Sequence, residues 1–254
     1  HHPQPQFPLL LKFLDAHKTL SVQVHPNDAQ AALLEPPDLG KTEAWIVLAA
    51  EPGSKIYAGL NPGVDRAALE RAIADGTSDA CLHQFEPRVG DCVFLEAGTV
   101  HALGAGLVIA EIQQASNTTF RLFDWNRVDR DGKPRELHID ESLATIDHER
   151  GPVSPVAPQP TDRPHVERLV ACDKFMLDRW RLDDEQLVEA DPGVPVGPCR
   201  DLCGLEMRDL RDEVQHHEVV AKAVHLREFE QHRRQPSGNS RRKWSRTVSR
   251  RRTS

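Results

Sequence analysis

Gly90-Asp91-Cys92-Val93-Phe94-Leu95-Glu96-Ala97-Gly98-Thr99-Val100-His101 reads as a turn, an apolar strand, a second glycine-containing turn and then a histidine. The glycines permit tight turns, and the strand between them returns His101 toward the interior of a sheet structure. Working outward, Thr19 to Val24, Ala44 to Ala49, Leu107 to Gln113 and Thr118 to Phe123 are similar short runs rich in Val, Ile, Leu, Thr or Phe. Pro26-Asn27-Asp28, Glu51-Pro52-Gly53 and Gly104 to Gly106 supply turns between them. Two helices interrupt the pattern. Asn27 or Asp28 can cap one that runs through Leu34 and ends at Pro36-Pro37, and Asp65 can cap a second over Arg66 to Ala74 with Gly76 beyond its end. Many short strands, glycine and proline turns and few helices predict a mainly β fold, a sandwich or barrel.

The pattern changes after Ile146. Gly151 to Pro164 carries five prolines and reads as a linker. Val166 to Leu182 can supply two more strands. From Leu205 to Gln231 a charged segment reads as a weak helix, and residues 231–254 read as a disordered basic tail. The expected organisation is therefore a metal-binding domain over residues 1–150, a linker at 151–164, an incomplete second region at 165–230 and the tail. No internal repeat is visible.

The formal net charge of -7 conceals an asymmetry. Nine of the 32 Lys and Arg residues lie between Gln231 and Ser254, where no acid stands, so the rest of the chain sets 23 basic residues against 39 acids. An acidic body with a short basic tail does not suit a nucleic-acid-binding protein. The longest apolar stretch, Phe7 to Leu14, is broken by Pro8 and Lys12 and is too short to cross a bilayer. Neither nucleic acid nor membrane is an expected partner. Five cysteines without framework spacing favour reduced thiols in a cytoplasmic enzyme. Cys199 and Cys203, with His216 and His217 downstream, fit no established zinc spacing. The chain opens on His1 rather than Met, so a fragment is expected.

Three segments carry the chemistry. On a strand, Gln23 and His25 share one face while Val22 and Val24 share the other; that face is either lined for chemistry or simply the wet one. In Gly40-Lys41-Thr42-Glu43-Ala44-Trp45 a carboxylate opens an apolar run, where it needs a partner unless it lies at the surface beside Lys41. His101 alone reads as well as a core histidine. Together, two imidazoles, a carboxylate and a carboxamide at strand ends form a donor set for Zn²⁺, Fe²⁺ or Mn²⁺.

These segments resemble the type I phosphomannose isomerases of the cupin superfamily, in their short bacterial form. Leu20 to Asp28 is similar to the family's first metal-binding segment, Lys41 to Trp45 to its second, and Gly90 to His101 to its second cupin motif, with Glu96 where that motif has proline. Glu111 to Arg121 is similar to the segment carrying the family's active-site arginine. The resemblance runs from about Phe7 to about Leu182. The family's N-terminal Trp-Gly-Gly element has no counterpart before His1, and residues after about Pro192 do not match its second half; an altered reading frame would produce such an Arg/Ser-rich ending.

The resemblance implies a cupin-type β-barrel or jelly roll and one Zn²⁺ per chain on Gln23, His25, Glu43 and His101. It implies an aldose–ketose isomerase interconverting mannose 6-phosphate and fructose 6-phosphate through an enediol. Arg121 would stabilise the enediolate or bind sugar oxygens, against a structural salt bridge to Asp124 or Glu111. Glu111 would transfer the proton or hold Arg121. Lys41, on the face of Glu43, would reach substrate or phosphate, against a solvated lysine. Lys12 and Arg127 are weaker phosphate candidates. Two other readings stand beside this one. An Fe²⁺ cupin oxygenase uses two histidines and a carboxylate, and a catalytically silent sugar-binding module is the second.

Overall fold

A computed structural model describes residues 7–181 and 219–224. Two antiparallel sheets face each other. The first has the order β1-β8-β3-β6, built from Leu9–Ala16, Leu107–Gln114, Glu43–Ala50 and Cys92–Leu95. The second has the order β5-β4-β7-β2-β9, built from Leu82–Phe85, Ile56–Leu60, His101–Leu103, Val22–Val24 and Phe120–Phe123. The ladders remain two sheets, so the expected mainly β jelly roll is realised as an open sandwich rather than a hydrogen-bonded closed barrel.

Residue alternation explains the layers. On β3, Trp45 and Val47 point between the sheets, where they meet Ile56, Ala58, Leu103 and Ile109. The intervening Ala44 and Ile46 point outward into a second cluster with Ala110, Ile112, Leu169, Phe175 and Leu177. β3 is thus covered on both faces and reads as an unbroken apolar run, as a strand in that position must. The outer cover comes from a third sheet, β10-β11-β12-β13, formed by Gln159–Pro160, Val166–Ala171, Met176–Arg181 and Val219–Val224. The outer face of the second sheet, with Val22, Val24, Ala102 and Leu122, packs against Leu69 of α2 (Arg66–Ala74) and Leu143 of α3 (Ile139–Thr145).

The helix expected through Leu34 is shorter. α1 spans Asp28–Ala31, held by a capping box in which Asn27 and Gln30 exchange bonds. The following amides reach back only three residues, from Leu33 to Gln30 and from Leu34 to Ala31, so the coil tightens into turns. The weak helix expected over Leu205 to Gln231 is corrected where the structure describes it: Val219–Val224 is a strand paired with β12. Its three valines favour that state over helix. The basic tail, Cys199, Cys203, His216 and His217 lie outside the described residues. The proline-rich stretch after Gly151 runs along the sandwich, with the Val153 amide bonded to Ala58 O and the Val156 amide to Cys92 O.

Candidate metal centre

His25, Glu43 and His101 converge between the two sheets, their ligand atoms all within 4.8 Å of one another. Each comes from a strand terminus. His25 follows β2, Glu43 opens β3 and His101 opens β7. His25 Nε2 lies 3.7 Å from Glu43 Oε2, and His101 Nε2 lies 3.3 Å from Glu43 Oε1. All three side chains are about 1% exposed.

The far side of each ring is tied down. His25 Nδ1 donates to the Thr118 carbonyl at 3.0 Å, and His101 Nδ1 to the Thr99 carbonyl at 2.8 Å. Because the backbone oxygens accept, the proton sits on Nδ1 and the Nε2 lone pair of each ring is left facing Glu43. Thr118 is itself held by Asp38, whose Oδ2 accepts from the hydroxyls of Thr118 and Ser116.

Charge is concentrated here. The Lys41 ammonium stands 3.0 Å from His25 Nε2 and 3.0 Å from Glu43 Oε2. Burial, reinforced by that ammonium, keeps the His25 imidazole well below its ordinary pKa and hence neutral near pH 7. Burial alone would push the Glu43 carboxyl up, but Lys41, His25 and His101 together outweigh it and hold Glu43 well below the usual carboxylate range. Despite these charge contacts, neither Glu43 oxygen nor His101 Nε2 has a hydrogen-bond partner among the described residues. Bare acceptors buried this deeply are costly. Two imidazole nitrogens and an ionised carboxylate aimed at a common point, with His101 Nε2 and both Glu43 oxygens lacking a hydrogen-bond partner, fit a divalent metal ion.

Ladder register places the other expected residues. Gln23 pairs with His101 on one side and Arg121 on the other. Cross-strand partners share a face, so half-buried Gln23 stands on the face that carries His101. Arg121 shares that row, but its head turns to the sheet's margin. Nη1 donates to Glu136 O at 2.7 Å and Nε to Ser21 Oγ at 3.4 Å, and no pair forms with Glu111 or Asp124. Glu111 lies opposite Trp45, whose Nε1 donates to Glu111 Oε2 at 3.2 Å. Lys12 pairs with Glu111 Oε1 at 3.2 Å and also donates to Gln113 Oε1. Burial, and then the charge of Glu43, raise the Glu111 carboxyl above its ordinary pKa. Arg127 is engaged elsewhere, by Asp124 and by Thr19 O.

Sequence reasoning missed Trp45, whose ring edge also meets the His101 ring at 5.3 Å between centroids. Its position two residues after Glu43, hence on the same strand face, was the available signal. The Thr99 and Thr118 carbonyls carry no side-chain signature and gave none.

Known proteins resemble this chain in both sequence and fold. The family model for phosphomannose isomerase type I, catalytic domain, matches residues 1–44. Mannose-6-phosphate isomerase ManA of Bacillus subtilis (strain 168) is 38% identical over 184 residues, which are 70% of this chain and 56% of that protein. The mannose-6-phosphate isomerase of Streptococcus mutans is 43% identical over 140 residues, 55% of this chain and 44% of that protein. The crystal structure of the mannose 6-phosphate isomerase from Bacillus subtilis superposes with a TM-score of 0.64 at 29% identity, covering 71% of this chain and 57% of that one. The chain thus spans about half the length of the curated relatives it matches. Over the region they share, the chain is similar to the type I phosphomannose isomerases.

Proposed function

We propose that this chain carries the catalytic centre of a metal-dependent aldose–ketose isomerase acting on mannose 6-phosphate and fructose 6-phosphate. We infer further that one Zn²⁺ is held by Gln23, His25, Glu43 and His101. The observation carrying the reading is the buried His25–Glu43–His101 cluster with its unsatisfied acceptors, set in a chain related to proteins named mannose-6-phosphate isomerase. Two imidazoles, one carboxylate and one carboxamide, without thiolate, leave room for substrate oxygen. A cation held there supplies Lewis-acid polarisation of the sugar carbonyl.

The residues around it suit moving a proton between C1 and C2. Glu111, whose carboxyl is raised by burial, is the proton-transfer group in this reading, since a base works best with a pKa shifted toward the working pH. Lys12 and Trp45 fix its orientation. Lys41 lies close enough to the ligand cluster to meet a sugar oxygen. Arg121, always cationic, would swing from the sheet margin to the enediolate charge or the sugar oxygens. We place the activity in the cytoplasm, with a sugar phosphate and neither nucleic acid nor membrane as partner. Among the described residues, no helix is long and apolar enough to cross a membrane.

A coupled assay for conversion of mannose 6-phosphate, with and without a chelator, tests this. The expected result is turnover that the chelator abolishes and added Zn²⁺ restores. Two histidines and a carboxylate also make an iron oxygenase triad; oxygen uptake with bound iron, without isomerisation, would replace the proposal by that one. Binding of metal and sugar phosphate without conversion would identify a silent binding module.

A further inference from the structure

The Glu96–Thr99 turn touches His25, His101 and the residue that precedes Glu43. The Gly98 amide donates to the carbonyl of His25 at 2.8 Å. The Ala97 amide donates at 3.2 Å to the hydroxyl of Thr42, the residue preceding Glu43. The Thr99 carbonyl accepts from His101 Nδ1. Gly98 holds the turn at φ +90, where a side chain would be strained and its Cβ would lie 3.3 Å from Asp147 Cβ.

A second turn, Asp147 to Arg150, clasps the first from outside. The Asp147 amide donates to Gly98 O at 2.9 Å. Arg150 Nη1 donates to Thr99 Oγ1 at 3.2 Å and pairs with Glu96 Oε2 at 3.1 Å, while Nη2 reaches Asp147 Oδ2 at 3.4 Å. One guanidinium therefore bridges both ends of the inner turn. Glu96 is 54% exposed and Asp147 42%, so these pairs add little to stability. What they constrain is direction. The hydroxyl gripped by Arg150 belongs to the residue whose carbonyl fixes the tautomer and tilt of His101.

We propose that Arg150 is a positioning residue for the metal centre, acting through the Glu96–Thr99 turn on His101 and His25. The inference rests on the reading of the His25–Glu43–His101 cluster as a metal site. Partners that orient a ligand histidine change metal affinity by about 10–100-fold when removed, and Arg150, one step further out, belongs at the lower end.

The test is competition for Zn²⁺ against a chromophoric chelator, with the melting temperature of the metal-free protein measured in parallel. Four proteins are compared: wild type, Arg150→Met, Thr99→Val and Arg168→Met. Arg168 pairs with Asp178 between β11 and β12, away from the turn, so its loss controls for stability alone. Arg150→Met is expected to weaken Zn²⁺ binding about tenfold. Thr99→Val, which removes only the gripped hydroxyl, should weaken it several-fold, and Arg168→Met should leave it unchanged. Wild-type affinity in Thr99→Val, or in a folded Arg150→Met, overturns the proposal. So does an equal loss in Arg168→Met. Absence of Zn²⁺ binding by the wild type would instead remove the metal-site reading on which it stands.

Discussion

Thr99 and Thr118 each give a backbone carbonyl to the Nδ1 of a candidate ligand histidine, leaving Nε2 as a lone-pair donor toward Glu43. His25 stays neutral through burial and the neighbouring ammonium of Lys41. The roles of single residues separate on this basis. His101→Ala removes one of two imidazoles from the cluster and should weaken metal binding by more than about 100-fold, since even an orienting partner is worth 10–100-fold. Arg121→Ala touches no ligand atom. It should retain the metal and lose about 10²–10³-fold in turnover, the usual cost of removing one donor to a developing oxyanion. Metal content by atomic spectrometry beside the coupled assay distinguishes the two, and normal activity in either variant contradicts the assignments. At this scale the sequence was most readable. Lys41 and Glu43, two apart on a strand, were expected on one face and do meet at 3.0 Å. Glu111 was left open between proton transfer and holding Arg121; its partners prove to be Lys12 and Trp45.

Among the elements, α2 was legible because every signal is local. Asp65 caps it, accepting from the Ala68 amide, Leu69 is buried and the helix ends at Ala74 as expected. β3 was legible because burial on both faces leaves an apolar run. Others carried no comparable mark. α3 has no side-chain cap at His138. β1 reads only as an apolar stretch until paired with a strand nearly a hundred residues away. β4, Ile56–Leu60, is masked by Gly59, a residue disfavoured in strands. Gly59 is required there, because it sits at φ +78 and a Cβ would approach Gly151 O to 2.3 Å. Gly59→Ala should therefore destabilise the protein by about 1–3 kcal/mol, read as a lowered urea midpoint with an unchanged slope.

For the whole molecule, the third sheet completes the core of the first. Phe175, in the β11–β12 connection, is fully buried against Phe94 and the outward face of β3 and β8. Phe175→Ala should cost about 3–5 kcal/mol, measured by chemical denaturation; a loss under 1 kcal/mol would mean that this layer is not part of the cooperative fold. The pairing of β1 has a different consequence, for biosynthesis. Leu9 faces Gln114 and Ala16 faces Leu107, and β8 lies between β1 and β3, so β1 has no neighbour until β8 leaves the ribosome. At about 5–20 residues per second, the wait is on the order of ten seconds. Throughout it Leu9, Leu14 and Ala16, which pack into the core of the folded sandwich, travel as an uncovered greasy ribbon on the nascent chain, which makes this strand a natural client for a holding chaperone.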